Sequence, residues 1–234
     1  MLTCYKKILI LLSYIIGMFL LPSFIGGILA KIRGYSIGQL TTTERFNLIG
    51  MMNFIMYLVL CSILLSLSYH SFKNDFKKVN NWFKLILKMF ACLFLTFSAA
   101  AIGNILVGIL GTGGQSQNQQ AVQSAITAMP LFMIITVTFL GPITEEIVFR
   151  LALMNILPNK PIFGFINILF SSLIFGGIHV LRGGWLHIIP YFLMGLVFGI
   201  MYHKTKNIWN VTILHILHNG MTVVFMYLAL LLGT

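Results

Sequence analysis

Long, uninterrupted apolar runs dominate this chain and limit what it can fold into. A helix that crosses a bilayer needs roughly 20 mostly apolar residues. Of the 234 residues, 59% are hydrophobic and only 8% are charged, whereas soluble domains carry about 25% charged residues. The runs do not alternate as the strands of an outer-membrane barrel do, so the sequence predicts an all-α polytopic membrane protein with about seven transmembrane helices in one bundle. The predicted spans are 8–30, 48–68, 82–111, 125–149, 162–180, 185–202 and 208–232.

Basic residues far outnumber acidic ones, with 15 Lys plus Arg against 4 Asp plus Glu. In a soluble protein this excess would indicate nucleic-acid binding. Here most basic residues lie in short loops between apolar runs, so the expected partner is the lipid bilayer and not nucleic acid. Basic loops stay on the cytoplasmic side, which predicts a multi-pass protein of the cell membrane with a cytoplasmic N-terminus. Residues predicted on the cytoplasmic side are Lys6, Lys7, Lys73, Lys77, Lys78, Lys84, Arg150, Lys160, Lys204 and Lys206, and those predicted outside are Lys31, Arg33, Arg45 and Arg182.

The cysteines and the first apolar run give little sign of other structural classes. Cys4, Cys61 and Cys92 have no paired spacing, which excludes a disulfide framework and a cysteine-based metal site. The first run is too long for the apolar core of a signal peptide, so we expect a retained helix. We expect one bundle with two parts: N-terminal transmembrane helices without motifs at 1–124, and a helical core that carries every motif at 125–234.

Two adjacent carboxylates, Glu145 and Glu146, lie at the end of the fourth run. An ionisable residue at membrane depth costs roughly 2.5–3.5 kcal/mol, so it requires a partner or a wet cavity. Glu146 and Arg150 are four residues apart and can pair on one helix face, either as a structural ion pair between helices or as part of a site. Glu145 points about 100° away, and is either a hydrogen-bonded core carboxylate or a reactive one. Gly141-Pro142 is expected to break or restart the helix just before them.

Three of the six histidines lie inside apolar runs. His179 follows Phe175 by four residues, and Asn219 follows His215 by four, so each pair shares a helix face. His218 either lines the same cavity or packs behind it. A lone membrane histidine is more often a hydrogen bond between helices than a ligand, but three of them beside an unpaired carboxylate favour a site. Two glycines, Gly176 and Gly177, are expected to let a neighbouring helix approach closely; His70 and His203 are expected in solvent and His187 at the interface.

Together these groups are sufficient to hydrolyse a bond without a nucleophilic serine or cysteine. A carboxylate and an imidazole can activate a water, while an imidazole and an amide stabilise an oxyanion. The same side chains could instead hold a divalent metal such as Zn, with an open position for water. The metal-ligand candidates are Glu145, His179 and His215.

Three motifs in this order resemble the CPBP family of intramembrane proteases, also called the Abi family, which includes the type II CaaX prenyl endopeptidases. The residues Glu145-Glu146-Ile-Val-Phe-Arg150 fit Glu-Glu-x-x-x-Arg, Phe175-Gly-Gly-Ile-His179 fit Phe-x-x-x-His, and His215-Ile-Leu-His-Asn219 fit His-x-x-x-Asn. The resemblance covers about residues 125–225. It implies an intramembrane endopeptidase acting on a peptide or membrane-protein substrate, in bacteriocin immunity, peptide processing or surface-protein display.

The resemblance also implies roles for individual residues. Glu145 would be the water-activating base with His179 as its partner, and His215 and Asn219 the oxyanion-stabilising pair, or His215 a metal ligand. The supporting residues would be Glu146, Arg150, His218 and Phe175. The family is described both as metal-dependent and as glutamate-dependent, and the lack of a His-x-x-x-His pair slightly favours the second.

The predicted topology puts the reactive cavity on the cytoplasmic side. Two other functions remain open at this point: a non-catalytic membrane immunity or binding protein, and a proton-coupled transporter. The chain shows no inverted repeat, which a transporter would favour. The oligomeric state stays open.

Overall fold

The computed structural model describes residues 2–32, 34, 40–111, 114–156 and 161–232, and contains no strand in these ranges. The predicted all-α membrane fold is confirmed. Arg33 and Lys160, which entered the topology prediction, lie outside the described residues. The helices are α1 (Cys4–Phe19), α2 (Leu21–Ile32), α3 (Thr42–Lys77), α4 (Trp82–Ile109), α5 (Gln117–Ala128), α6 (Pro130–Ile135), α7 (Gly141–Glu146), α8 (Pro161–His179), α9 (Ile188–Thr205) and α10 (Ile208–Leu232).

The predicted count of seven spans is not confirmed. Among the described residues, five helical segments are long and apolar enough to cross a membrane, and α1 with α2, bent by 42°, would make a sixth. A further apolar helical stretch, Phe163–His179, is shorter than these over the residues that the structure describes. The predicted fourth run at 125–149 is also shifted, because Pro130 disfavours the helical conformation of Met129 and ends α5 there. The observed span is Pro130–Asn155.

Pro130–Asn155 is one continuous helical segment that mixes three kinds of turn. A π-helical stretch, Thr136–Leu140, joins α6 to α7, and a second one, Ile147–Ala152, follows α7. The α-helical pattern restarts at Gly141, with a proline in the first turn where its missing N–H is tolerated. The predicted restart of the α-helix at Gly141-Pro142 is therefore confirmed, and the helical segment continues through it without a break. Single π turns inside α-helices occur frequently at functional sites.

Glycines bring the helices of the second half close together. A Cβ on Gly103 would lie 2.3 Å from the Cα of Pro190, so α4 and α9 pack backbone against backbone. A Cβ on Gly176 would lie 3.0 Å from Ile188, which confirms the predicted close approach at this position. The same prediction is wrong for Gly177, because no described neighbour lies within 4 Å of a Cβ placed there.

The two ends of the bundle differ in charge. At the first end, which we call the basic end, α1, α4 and α10 begin and α3 and α9 end. There the Asp75 carboxylate accepts a hydrogen bond from the N–H of Ile208 at 3.0 Å, and Lys7 donates to the carbonyl of Asn155. The lysines at this end are Lys6, Lys7, Lys73, Lys77, Lys78, Lys84, Lys88, Lys204 and Lys206.

At the other end, called the opposite end, α2, α4 and α8 end and α5 begins. The Tyr191 hydroxyl lies 2.9 Å from that of Ser116, and His187 Nε2 lies 3.1 Å from the carbonyl oxygen of Gly114. These contacts hold the start of α9 against the segment that leads into α5. The imidazole of His187 is buried there, in a 3-10 turn just before α9.

Candidate active site

A buried ion pair lies at the centre of the motif region. Arg150 Nε is 3.1 Å from Glu146 Oε2, and neither side chain is exposed at all. The other Glu146 oxygen, Oε1, is 2.8 Å from Nδ1 of His215. The predicted Glu146–Arg150 pair is confirmed. Its burial also corrects the topology argument, since Arg150 is not a loop residue and does not count toward the basic end.

Arg150 connects this pair to two more helices. Its Nη1 donates to Ser171 Oγ on α8 at 2.8 Å, and its Nη2 lies 3.5 Å from the carbonyl oxygen of Gly195 on α9. The guanidinium also lies 5.6 Å from the ring centre of Phe175, a cation–π contact. A desolvated ion pair is tolerated only when such partners surround it. We call Glu146, Arg150, Ser171 and Gly195 the sealed polar core.

Glu145 faces a different environment. Its carboxyl is buried but lines a cavity of about 730 Å³. Within the described chain, the imidazole within 4 Å of it is His215 and not His179: Nε2 of His215 is 3.8 Å from Glu145 Oε2. This distance is too long for a direct hydrogen bond and fits a water that bridges the two atoms.

His215 is fixed between the two carboxylates. A carboxylate only accepts hydrogen bonds, so Nδ1 of His215 carries the proton that is donated to Glu146. The imidazole also stacks on the ring of Phe198, at 4.4 Å between centres and 25° between planes. Its Nε2 is therefore held toward Glu145. The motif spacing did not predict the contact between His215 and Glu146, because the two residues are 69 positions apart.

His179 lines the same cavity from α8. Its Nδ1 is 2.7 Å from the carbonyl oxygen of Phe175 and so carries the donated proton, which leaves Nε2 for other contacts. Its ring stacks on Tyr191, at 4.5 Å and 22°. Tyr191 is held in turn by Ser116. Tyr191 belongs to no motif, and nothing in the sequence marks it as part of the site.

The amide and the third membrane histidine also line the cavity. Asn219 uses one N–H to donate to the carbonyl oxygen of Val137 at 2.9 Å, which leaves its second N–H. His218 Nδ1 lies 2.9 Å from Thr96 Oγ1, and its ring packs against Phe97. Both interpretations of His218 therefore hold, since it reaches the cavity and is tied to α4.

Helices without motifs supply much of the cavity wall. Tyr14 on α1, Met56 and Tyr57 on α3, and Asn118 on α5 line it. The Tyr14 hydroxyl is buried and has no hydrogen-bond partner in the described ranges. It is a donor that sequence reasoning missed, because a tyrosine in an apolar run carries no distinguishing signal.

The cavity lies toward the opposite end of the bundle. Arg182, Asn118 and Gln119 line it there, together with Phe46 at the start of α3. The prediction that it lies on the same side as the lysine-rich loops is wrong. That prediction was based on Arg150 and the lysines near it in the sequence. The cavity lies on the other side of Glu145, toward the opposite end.

The three candidate metal ligands do not form a ligand set. In the part of the chain that the structure describes, no group of three His, Cys, Asp or Glu side chains is placed to hold a metal ion. The hydrogen bonds at Nδ1 of His179 and of His215 do not speak against a metal, because a ligating histidine usually makes such a bond with its second nitrogen. The described side chains nevertheless do not come together as the three protein ligands of a catalytic zinc site.

Comparisons with known proteins place these motifs in a family. A family model described as type II CAAX prenyl endopeptidase Rce1-like matches residues 127–221. The chain is 31% identical to "Putative membrane peptidase YdiL" of Bacillus subtilis (strain 168) over 82% of this chain and 78% of that protein. It is 35% identical to "Membrane-embedded CAAX protease MroQ" of Staphylococcus aureus (strain USA300), over 57% of each chain. No solved structure matches.

Proposed function

The chain belongs to the Rce1-like family of type II CAAX prenyl endopeptidases, and on that premise we propose that it hydrolyses a peptide bond within the membrane with a water activated by Glu145. The observation that carries the proposal is the 3.8 Å gap between Glu145 Oε2 and His215 Nε2 at the cavity wall. A water in this gap can donate one hydrogen to each atom. Glu145 Oε2 and His215 Nε2 then hold the same water, which is the nucleophile.

In the proposed reaction, Glu145 removes a proton from this water as its oxygen attacks the carbonyl carbon of the substrate. The C–N bond then breaks, and the proton passes from Glu145 to the departing amine, so that charge and atoms balance. General acid–base catalysis of this kind contributes about 10²–10⁴-fold. Glu145 is buried in the cavity wall, where aligned dipoles act more strongly on its proton transfers than they would in bulk water.

Glu146 and Arg150 are positioning residues in this proposal and do not touch the water. Glu146 fixes the tautomer and the ring angle of His215, as the aspartate of a serine-protease triad does for its histidine. Arg150 balances the charge of Glu146, which would otherwise be an unpaired buried carboxylate.

The remaining polar groups are assigned to the substrate carbonyl. We propose that the second N–H of Asn219 and the hydroxyl of Tyr14 stabilise the oxyanion, and that His179 contacts the substrate through Nε2. This differs from the roles that the family resemblance implied, because His215 and not His179 is the imidazole near Glu145. All but Tyr14 of these groups come from 125–234, the proposed chemical core, while 1–124 supplies cavity walls.

The proposal extends to the substrate. A cavity enclosed by lipid-facing helices suits a peptide or a membrane-anchored protein segment that enters in extended form. A role in peptide maturation or in bacteriocin immunity follows if such a segment is cleaved. In a purely binding role, the polar side chains of the cavity would hold a peptide, and Glu145 would not act as a base.

The decisive experiment compares peptide termini in cells that produce wild-type, Glu145→Gln or Glu44→Gln protein. Glu44 is a partly exposed acid, and a glutamine at this position can form the same capping box with Thr41, so Glu44→Gln is a matched control. We expect termini that appear with wild type and Glu44→Gln and are missing with Glu145→Gln, at equal protein levels. The same termini with all three proteins would contradict the proposal and favour a binding function.

A chelator tests the metal question on the purified protein. We expect cleavage of a peptide identified in this way to be unchanged after treatment with EDTA. Loss of cleavage that returns with Zn²⁺ would mean that His179 and His215 rearrange into a ligand set, and the mechanism above would be wrong.

A further inference from the structure

We infer that the cavity is loaded from the extracellular face of the membrane, so that its substrates are peptide segments that reach the outer leaflet. Such substrates are exported peptides or the outward-facing ends of membrane-anchored chains. The inference about substrates rests on the proposed function, whereas the inference about the side of entry rests on packing and charge alone.

The first support is the position of free space along α10. The cavity is lined by His215, Asn219, Thr222 and Met226, which lead away from the basic end. On the other side of His215, toward the basic end, α10 carries three fully buried residues. These are Ile208, Val211 and Leu214, each with no exposed surface.

Two N-terminal helices are also closely packed toward the basic end and line the cavity toward the opposite end. On α1, which begins at the basic end, Ile10 is fully buried, while Tyr14 and Met18 line the cavity. On α3, which runs the other way, the cavity is lined from Phe46 to Tyr57 and the buried residues follow. Those buried residues are Leu60 and Leu64.

The sealed polar core closes the remaining route from the basic end. Arg150 and Phe149 lie on that side of Glu145 and are buried among Phe175 and Phe198. On the opposite side, Arg182 is exposed and lies only three residues after His179. Among the described residues, the packing therefore favours entry on the side of Arg182 over entry through the core.

The second support is the charge difference between the two ends. Nine lysines of the described ranges lie at the basic end, and the acid near them is Asp75, which pairs with Lys78. At the opposite end, the described basic residues are Lys31, Arg45 and Arg182, with Glu44 beside them. Loops rich in lysine and arginine stay in the cytoplasm, so the end with the cavity mouth faces outward.

The inference is tested with a membrane-impermeant thiol reagent on intact cells. Cys4, Cys61 and Cys92 are first replaced by alanine, and single cysteines are then introduced as Arg182→Cys at the mouth and Lys206→Cys at the basic end. We expect Arg182→Cys to be modified in intact cells and Lys206→Cys only after permeabilisation. The reverse pattern would overturn the inference.

A second pair of variants tests the cavity itself. Thr222→Cys places a thiol in the cavity, and Leu228→Cys places one on the exposed, lipid-facing side of the same helix. A thiol reacts as the thiolate, which requires a polar environment. We expect Thr222→Cys to react in intact cells with a small charged thiosulfonate, and Leu228→Cys to stay unmodified. Reaction of Thr222→Cys only in inside-out vesicles would overturn the inference.

These outcomes are independent of hydrolysis. If Glu145→Gln cells show unchanged peptide termini, the proposed function fails while the labelling pattern still reports the side of entry. If the labelling pattern is reversed, the enzyme assignment stands and the substrates must come from the cytoplasm.

Discussion

Glu145 and Glu146 are neighbours in the sequence, yet each belongs to a different region of the molecule. Glu146 lies in the sealed polar core with no exposed surface, ion-paired with Arg150 and hydrogen-bonded to His215. Glu145 lines the cavity, and its nearest imidazole nitrogen is 3.8 Å away. About 100° of helix rotation separates the two side chains. One acid is thereby committed to structure and the other is left for a ligand or a water.

The comparison explains how a membrane protein can keep a reactive carboxylate. Burying charge is costly unless partners compensate for it, and the sealed core supplies those partners from its own helix and from two neighbouring ones. The cavity side contains groups that are not committed in this way, such as the hydroxyl of Tyr14, which has no hydrogen-bond partner among the described residues. Removing a side chain from the core should therefore affect stability, and removing one from the cavity should affect turnover.

The largest effect on turnover is expected for Glu145→Gln. The substitution keeps the shape of the side chain but removes the base, so kcat should fall about 10²–10⁴-fold with little change in Tm. Glu146→Gln should instead lower Tm, because it weakens the bond to Arg150 and His215. Kinetics and thermal unfolding of both purified variants check this. Equal behaviour of the two variants would break the distinction between core and cavity.

Arg150→Ala should cause the largest loss of stability. It leaves Glu146 buried without its cation, which costs about 3–5 kcal/mol, and it removes the bond to Ser171. Expression level and Tm in detergent measure the effect. Arg182→Ala is the matched control, since this arginine is exposed, and it should fold like wild type. A stable Arg150→Ala protein would mean that the core is not needed.

The two histidines His215 and His218 on α10 sharpen the comparison further. His215→Ala removes the imidazole that shares the proposed water, and kcat should fall about 10²-fold, at the low end for a general acid–base group. His218→Ala removes a hydrogen bond to Thr96. It should lower Tm and should reduce kcat less than His215→Ala does. The ratio of the two kcat values is the measurement. A larger loss of kcat for His218 would require a different assignment of the water.

The smallest effect is expected for Tyr191→Phe, at a tyrosine that no sequence motif includes. Tyr191→Phe keeps the ring stacked on His179 and loses the contact with Ser116, so kcat should change only a few-fold, about the value of one hydrogen bond. Tyr191→Ala also removes the ring and should have a larger effect. If Tyr191→Phe and Tyr191→Ala have the same kcat, the ring does not position His179.

The features that could be predicted from the sequence are those that depend on residues close together along the chain. Glu146 and Arg150 are four residues apart on one helix, so their pairing followed from helical geometry, and the apolar runs located most of the spans. The contact between Glu146 and His215 joins residues 69 positions apart and depends on how two helices pack, which composition does not determine. The bend at Leu20 and the separate helix α5 were missed for related reasons, because apolar character alone does not mark where a helix turns.

The position of the cavity was the main error of sequence reasoning. Basic residues indicate which loops face the cytoplasm, but they carry no information on which half of a bundle leaves space between its helices. That space depends on side-chain volumes on several helices at once. Leu60, Leu214 and Phe149 fill one half of the molecule, and nothing in their local sequence distinguishes them from residues that face lipid.

The π turn at Thr136–Leu140 has a consequence for how this membrane segment tolerates insertions and deletions. A π turn accommodates one more residue than an α turn, so deleting a residue within 136–140 lets it tighten into ordinary α geometry while Glu145 keeps its direction. A deletion inside α7 has no such reserve and would swing the following acid by about 100°. Among length variants that alter the chain on the N-terminal side of Glu145, those that survive should therefore lie before Gly141.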